Sequence, residues 1–114
     1  MESEFKIKVL AQETGIVLAL SGELDLASSP VLEEELENAF SSDSKMVVID
    51  LRDLEFMDST GLSVLVQAHQ QAQDAGRQLC LVKGRPQVQR LLTLTRVAER
   101  MWVIDTPEEA LTQS

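Results

Sequence analysis

Met46-Val47-Val48-Ile49-Asp50-Leu51-Arg52-Asp53-Leu54-Glu55-Phe56-Met57-Asp58-Ser59-Thr60-Gly61 is the stretch from which the fold is read. Its apolar opening, residues 46–49, is long enough for a strand buried on both faces. A charged connection over residues 50–55 follows, interrupted by Leu51 and Leu54. Asp58-Ser59-Thr60-Gly61 then gathers small and capping residues immediately before Leu62-Ser63-Val64-Leu65-Val66. Asp, Ser and Thr are favoured at helix N-caps because their side-chain oxygens accept bonds from unpaired first-turn amides. The stretch therefore reads as a strand, a tight loop and a helix whose N-terminus displays two hydroxyls. A hydroxyl held there lies where the peptide dipoles favour added negative charge, which makes it a candidate phosphate-bearing position. The same tetrapeptide is also the chemistry of a plain cap, and on its own it does not separate the two.

Outward from this stretch, residues 5–11 begin with the apolar–polar alternation of a half-buried strand. Glu13-Thr14-Gly15 supplies a turn, and Ile16-Val17-Leu18-Ala19-Leu20 a second strand, so an antiparallel hairpin is expected. That strand ends at Ser21-Gly22-Glu23-Leu24-Asp25, where Gly22 permits close backbone approach or a positive φ. Ser28-Ser29-Pro30 followed by Glu33-Glu34-Glu35 is a helix start, with a hydroxyl cap, Pro in the first turn and acids near the positive dipole end. Val31, Leu32, Leu36, Ala39 and Phe40 should face the core. Glu33, Glu34, Glu35 and Glu37 form a solvated face, not a metal site. The helix after Asp58 should run through Ala75 on an inward stripe of Leu62, Leu65, Ala68, Ala72 and Ala75, and stop at Gly76.

Gln78-Leu79-Cys80-Leu81-Val82 reads as another buried strand, with Cys80 as a small core residue. Lys83-Gly84-Arg85-Pro86 is basic, but no glycine-rich loop precedes the lysine and no Ser or Thr follows it. A plain loop and helix start fits better than a phosphate site. Val88, Leu91, Leu92 and Thr95 give the next helix its apolar face. Met101-Trp102-Val103-Ile104 forms a last strand, and Thr106 with Glu109 fits a capping box for a final helix. A hairpin followed by strands alternating with helices is the α/β pattern with parallel crossovers. One domain over residues 1–114 is expected, built on a single mixed sheet of about five strands with helices packed mainly on one face. Ligands and partners of such sheets gather beyond the carboxyl ends of the strands, where the Asp25 turn and the Ser59 loop can both lie.

Composition narrows the function. The chain has 114 residues, 44% of them hydrophobic, which suits a packed core. Nineteen acidic and ten basic residues give a net charge of −9. That disfavours direct binding to nucleic acid or an anionic membrane, and suits a partner with basic patches. The N-terminus shows no signal-peptide pattern, and no run approaches the roughly 20 apolar residues that span a bilayer. Cys80 is the single cysteine, so no internal disulfide forms and a cytoplasmic setting is expected. His69, the single histidine, lies ten positions beyond Ser59, roughly 15 Å along a helix axis. A Ser-His hydrolase is not expected on that geometry, and the nucleophile-elbow pattern is missing as well. No metal-ligand cluster, nucleotide loop or cofactor motif is present, so no enzyme activity is expected.

Residues 54–62, Leu-Glu-Phe-Met-Asp-Ser-Thr-Gly-Leu, resemble the signature of STAS domains, specifically the bacterial anti-sigma factor antagonists. Gly22-Glu23-Leu24-Asp25 matches a second family element at the usual separation, and the resemblance spans nearly the whole chain. In that family the Ser directly after the Asp is phosphorylated by an anti-sigma factor that is itself a serine kinase. The resemblance therefore implies Ser59 as the phosphoacceptor, with Thr60 as the fallback, since both hydroxyls sit within one turn of the helix start. It implies a partner surface of Asp25, Asp58, Ser59, Thr60, Gly61 and Ser63, and a serine phosphatase that resets the switch. Asp25 would neighbour the phosphorylation loop; the other reading is a solvated carboxylate in a turn. Family members often carry Gly where this chain has Ser63, which would tune the partner contact. Two functions follow: a phosphorylation-switched antagonist of an anti-sigma factor, or a STAS module that is never phosphorylated and scaffolds a signalling or transport complex.

Overall fold

Side chains alternate across a strand, and here the two sets pack into separate cores. In the computed structural model, which describes residues 4–111, five strands form one sheet in the order β1-β2-β3-β4-β5. They are β1 (Lys6–Gln12), β2 (Gly15–Leu24), β3 (Met46–Met57), β4 (Gln78–Val82) and β5 (Trp102–Ile104). β1 and β2 make the expected antiparallel hairpin, and every other neighbour is parallel. The sheet is therefore mixed, and the 46–49 and 79–82 segments pair directly within it, Val47 opposite Leu79. The ends of the single domain expected over 1–114 lie outside the described residues.

Ile16, Leu18 and Leu20 of β2, Val47, Ile49 and Leu51 of β3, and Leu79 and Leu81 of β4 face one way. They pack with α1 (Ser29–Ser41), α2 (Ser59–Asp74), α3 (Pro86–Leu94) and the short α4 (Val97–Arg100). Val17, Met46, Val48, Cys80, Val82 and Ile104 face the other way, where, among the described residues, the one helix they meet is α5 (Pro107–Leu111), through Ala110 and Leu111. The helices thus lie mainly on one face, as expected. Cys80 is fully buried in the smaller core.

Read from sequence, the strand stops at Ile49 and residues 50–55 form a connection. The structure corrects this: β3 continues to Met57. Its register against β2 shifts twice. Ala19 pairs with Asp50 but Ser21 with Asp53, and Gly22 pairs with Leu54 but Glu23 with Phe56. Each shift places one extra residue in β3, a bulge. Buried side chains therefore fall at Leu51, Leu54 and Met57, three apart instead of two, while Arg52, Asp53, Glu55 and Phe56 are exposed. Asp50, placed in the connection by sequence, is only 6% exposed. Arg52 holds it, donating from Nε to Oδ1 at 3.0 Å and from Nη2 to Oδ2 at 2.8 Å. β2 likewise runs past Ser21 to Leu24. Gly22 serves both expected purposes, with φ +84° and a missing Cβ that would collide with the carbonyl oxygen of Glu4.

The helix ends follow local chemistry. Gly76 stops α2 as expected, with φ +69°. Its amide bonds Gln73 O and the Arg77 amide bonds Ala72 O, which is a Schellman closure. Ala75 is exposed, not part of the buried stripe, because it sits at this cap. α1 begins at Ser29, so Glu33, Glu34 and Glu35 fall beyond its first turn. Val31 is 49% exposed because Leu32, Leu36 and Ala39 define the buried side. Thr95 is exposed at the end of α3, where its hydroxyl donates to Leu91 O, and Arg96 at φ 62° starts the separate α4. In the expected capping box, Glu109 accepts from the Thr106 amide at 2.8 Å.

Burial pushes the Cys80 thiol from its ordinary 9.0 up to about 12. The folded chain therefore holds this proton where the unfolded chain has lost it. Its contribution to stability is complete below pH 9.0 and is lost as pH rises toward about 12. Urea unfolding midpoints should fall across that window more steeply for the wild type than for Cys80→Val. Equal slopes would refute the assignment.

Candidate functional site

β2 and β3 stay paired to their last residues, Leu24 opposite Met57, so the segments leaving them start side by side. The Asp58 amide donates to the Leu24 carbonyl at 3.1 Å and extends the ladder one step beyond the strands. The Asp25 turn and the Ser59 loop are joined at that bond.

On the β2 side, Asp25 organises a closed turn. Its Oδ1 accepts from the Ser28 amide and the Ser28 hydroxyl, both at 3.1 Å. The Asp25 amide donates to Ser28 Oγ, and the Ser29 amide and hydroxyl donate to the Asp25 carbonyl at 2.8 and 2.7 Å. Ser28 was expected to cap α1 with its hydroxyl, but that group makes no bond to the first-turn amides. Its one proton is shared between Glu23 O at 2.9 Å and Asp25 Oδ1. Asp25 is half-buried and bound, so it is not merely a solvated carboxylate.

On the β3 side, the cap of α2 is Asp58, in extended backbone, with Oδ1 accepting from the Gly61 amide at 3.0 Å. The two hydroxyls are not caps. Ser59 and Thr60 occupy the first two helical positions, Ser59 exposed and Thr60 half-buried. Gly61 is buried against the strand ends: a Cβ there would lie 2.7 Å from Leu24 Cγ and 3.0 Å from Met57 Cγ. Its lack of a side chain lets the first turn of α2 seat directly on β2 and β3. Ser63, one turn further and exposed, donates its hydroxyl to the Ser59 carbonyl at 3.0 Å. Asp58, Ser59, Thr60, Gly61 and Ser63 thus form one helix start, and Asp25 stands across the Leu24–Asp58 bond from it.

Two exposed apolar residues that the sequence reading gives no site role stand at this end of the sheet. Leu26, in the Asp25 turn, is 73% exposed, and Phe56, two residues before Asp58, is 46% exposed. Leu26 carried a weak signal, an apolar residue inside a polar turn. Strict alternation from Ile49 and the bulged register both put Phe56 opposite the main core, because two one-residue shifts restore the original parity. Glu23 stands opposite Phe56 in the register, so an acidic residue neighbours it on β2. His69 lies half-buried in a hollow between α2 and α4, away from this end. Among the described residues no group of three or more His, Cys, Asp or Glu could hold a metal ion. Among them, too, no helix is long and apolar enough to cross a membrane.

Comparison with known proteins gives a consistent family. The STAS domain model matches residues 6–110. An anti-sigma F factor antagonist of Paenibacillus polymyxa is 29% identical over 99 residues, covering 86% of this chain and 85% of the relative. An anti-sigma-B factor antagonist of Bacillus subtilis is 32% identical over 89 residues, 78% of this chain and 81% of the relative. Among solved structures, an anti-sigma factor antagonist from Mycobacterium paratuberculosis superposes with a TM-score of 0.81 at 25% identity, over 96% of this chain and 92% of that one. Unphosphorylated SpoIIAA superposes with a TM-score of 0.80 at 20% identity, over 96% and 95% of the two chains.

The seat of α2 is testable. Gly61→Ala forces the helix start away from Leu24 and Met57 and should cost about 1–3 kcal/mol in urea unfolding. Asp58→Ala removes only the cap and should cost about 0.5–2 kcal/mol. An unchanged midpoint for Gly61→Ala would mean that the helix start does not depend on this contact.

Proposed function

The chain belongs to the STAS domain family, and from that premise we propose that it is an anti-sigma factor antagonist switched by phosphorylation of Ser59. Unphosphorylated, it binds an anti-sigma factor that is itself a serine kinase and so frees a sigma factor. Phosphorylation by that kinase ends the complex, and a serine phosphatase restores it. The protein contributes binding and no catalysis, and it acts in the cytoplasm.

The observation that carries this reading is the placement of Ser59. It is exposed at the first position of α2, two residues past the paired ends of β2 and β3. Leu26 and Phe56 present apolar surface at the same end. Exposed apolar groups edged by polar ones are the anatomy of a protein interface. A partner that covers them also covers Ser59. Thr60, half-buried in the first turn, is the less accessible hydroxyl, which supports Ser59 as the acceptor.

Electrostatics supports the direction of the switch. A phosphate on Ser59 adds about −1.5 to −2 charges at pH 7. The helix N-terminus offers about 0.3–1 kcal/mol of stabilisation to an exposed anion, and Asp58 and Asp25 oppose it by repulsion. The fold itself changes little. A partner seated on the loop must bury a doubly charged group, which costs several kcal/mol unless that group is paired. A penalty of about 3 kcal/mol weakens binding more than a hundredfold.

The serine kinases encoded beside this protein, incubated with it and ATP, should add one phosphate that peptide mapping places on Ser59. Calorimetry with that kinase should show tight binding by the wild type and Ser59→Ala, and loss of more than about a hundredfold for Ser59→Asp. Phosphate on Thr60 in the wild type would overturn the acceptor assignment. Equal affinity of folded wild type and Ser59→Asp would defeat the switch and favour the unphosphorylated scaffold.

A further inference from the structure

A trough of about 430 Å³ lies between α1 and α2 and has no part in the switch described above. Both helices leave the carboxyl ends of neighbouring parallel strands, so they run the same way and the trough leads away from the Ser59 end. Leu36, Val64 and half-buried Phe40 line its floor. Glu33 and Glu37 stand on the α1 rim, and Gln67 and Gln71 on the α2 rim. Each rim pair is four residues apart, so polar groups repeat once per turn along both sides. A third helix laid between the rims presents its own side chains at that same repeat.

Charge selects the occupant. From Lys8 to Lys45 the chain has eight acids and no intervening Lys or Arg. From Arg52 to Arg77 it has four acids and again no intervening base. Both helices therefore carry a single sign of charge, while Lys83, Arg85, Arg90, Arg96 and Arg100 belong to the later part of the chain. An acidic ligand is repelled, and a second copy of a chain with a net charge of −9 meets long-range repulsion.

We propose that this trough is the docking groove for a basic amphipathic helix of the partner protein that reads Ser59. The groove rests on the geometry and charge above; the identity of its occupant rests on the proposed function. The helix sets its apolar face on Leu36, Val64 and Phe40. Its Lys or Arg residues meet Glu33 and Glu37, and Gln67 and Gln71 hydrogen-bond along the opposite edge. The partner then holds the chain at two places, the Ser59 end and the trough, so the groove orients the helix start toward the partner.

Two measurements separate the groove from the switch. In the first, the isotope-labelled chain is titrated with an acetylated, amidated Leu-Lys peptide patterned as an amphipathic helix, and with its Leu-Glu counterpart as control. Saturable amide shifts centred on the trough are expected with the Lys peptide alone. Glu33→Lys with Glu37→Lys should weaken that binding about tenfold. Gln67→Glu with Gln71→Glu should tighten it, a gain that misfolding cannot imitate. Shifts spread evenly over the acidic surface, or affinities unmoved by both pairs, overturn the groove. In the second, the kinase that modifies Ser59 is assayed on the same variants. The Glu33→Lys, Glu37→Lys pair should raise KM about tenfold and leave Ser59 as the mapped site. Unchanged KM overturns the groove as the partner's seat while the switch stands. Failure of every kinase to modify wild-type Ser59 sinks the switch, and with it the named occupant, whereas the groove itself stands or falls by the titration.

Discussion

Everything at the functional end depends on β2 and β3 remaining paired to their last residues. Strict alternation from Ile49 would send Asp53 and Glu55 into the core and Leu54 outward. Burying two unpaired carboxylates costs several kcal/mol each, more than a local distortion of the ladder. The chain resolves the conflict with two bulges in β3, which turn Leu54 inward and leave both acids in solvent. Only with those extra residues does Leu24 come level with Met57 and the Asp58 amide reach the Leu24 carbonyl. The Asp25 turn and the Ser59 loop are neighbours because of where the strand slips.

The same slips explain what could be read from sequence and what could not. Strands with a regular period were legible: the β1–β2 hairpin, Val47 and Ile49, and Leu79 and Leu81 all lie in the sheet as the alternation indicates. The far half of β3 was not, because a period of three with charged spacers looks like a loop until the bulges are placed. Punctuated helix ends were legible too, as at Gly76. The break between α3 and α4 was not, since Thr95-Arg96 contains neither Gly nor Pro and Arg96 adopts its positive φ without either. At the functional end, Asp25 and the Asp58-Ser59-Thr60-Gly61 run stood out through small and capping residues. Phe56 did not, because residues 50–55 read as a connection, which gives no side of a sheet to the residue that follows it.

The helix start also assigns different work to residues that look interchangeable in sequence. Asp58, Ser59 and Thr60 are all capable caps, yet only Asp58 bonds a first-turn amide. Its carboxylate holds the turn closed, so the hydroxyls are not needed for that purpose. Gly61 completes the arrangement from below by letting the turn touch Leu24 and Met57. Ser63 bonds back onto the Ser59 carbonyl, so even the serine one turn later binds the helix backbone. The exposed Ser59 hydroxyl is left on a seat that other residues maintain.

That separation bears on how a modification can be strong for a partner and weak for the fold. A group whose side chain builds the core or a cap cannot be charged without cost to folding, because its native contacts are lost with its chemistry. Ser59 is exposed, and the contacts that fix its position are made by the backbone of α2, by Asp58 and by Gly61. A charge added there meets a favourable dipole and two opposing carboxylates, terms that are each small in solvent and opposite in sign. In the proposed complex they become large, because a partner seated at the same end excludes water. In the switch proposed above, the free energy therefore resides in the complex, and that proposal needs no second conformation of the chain.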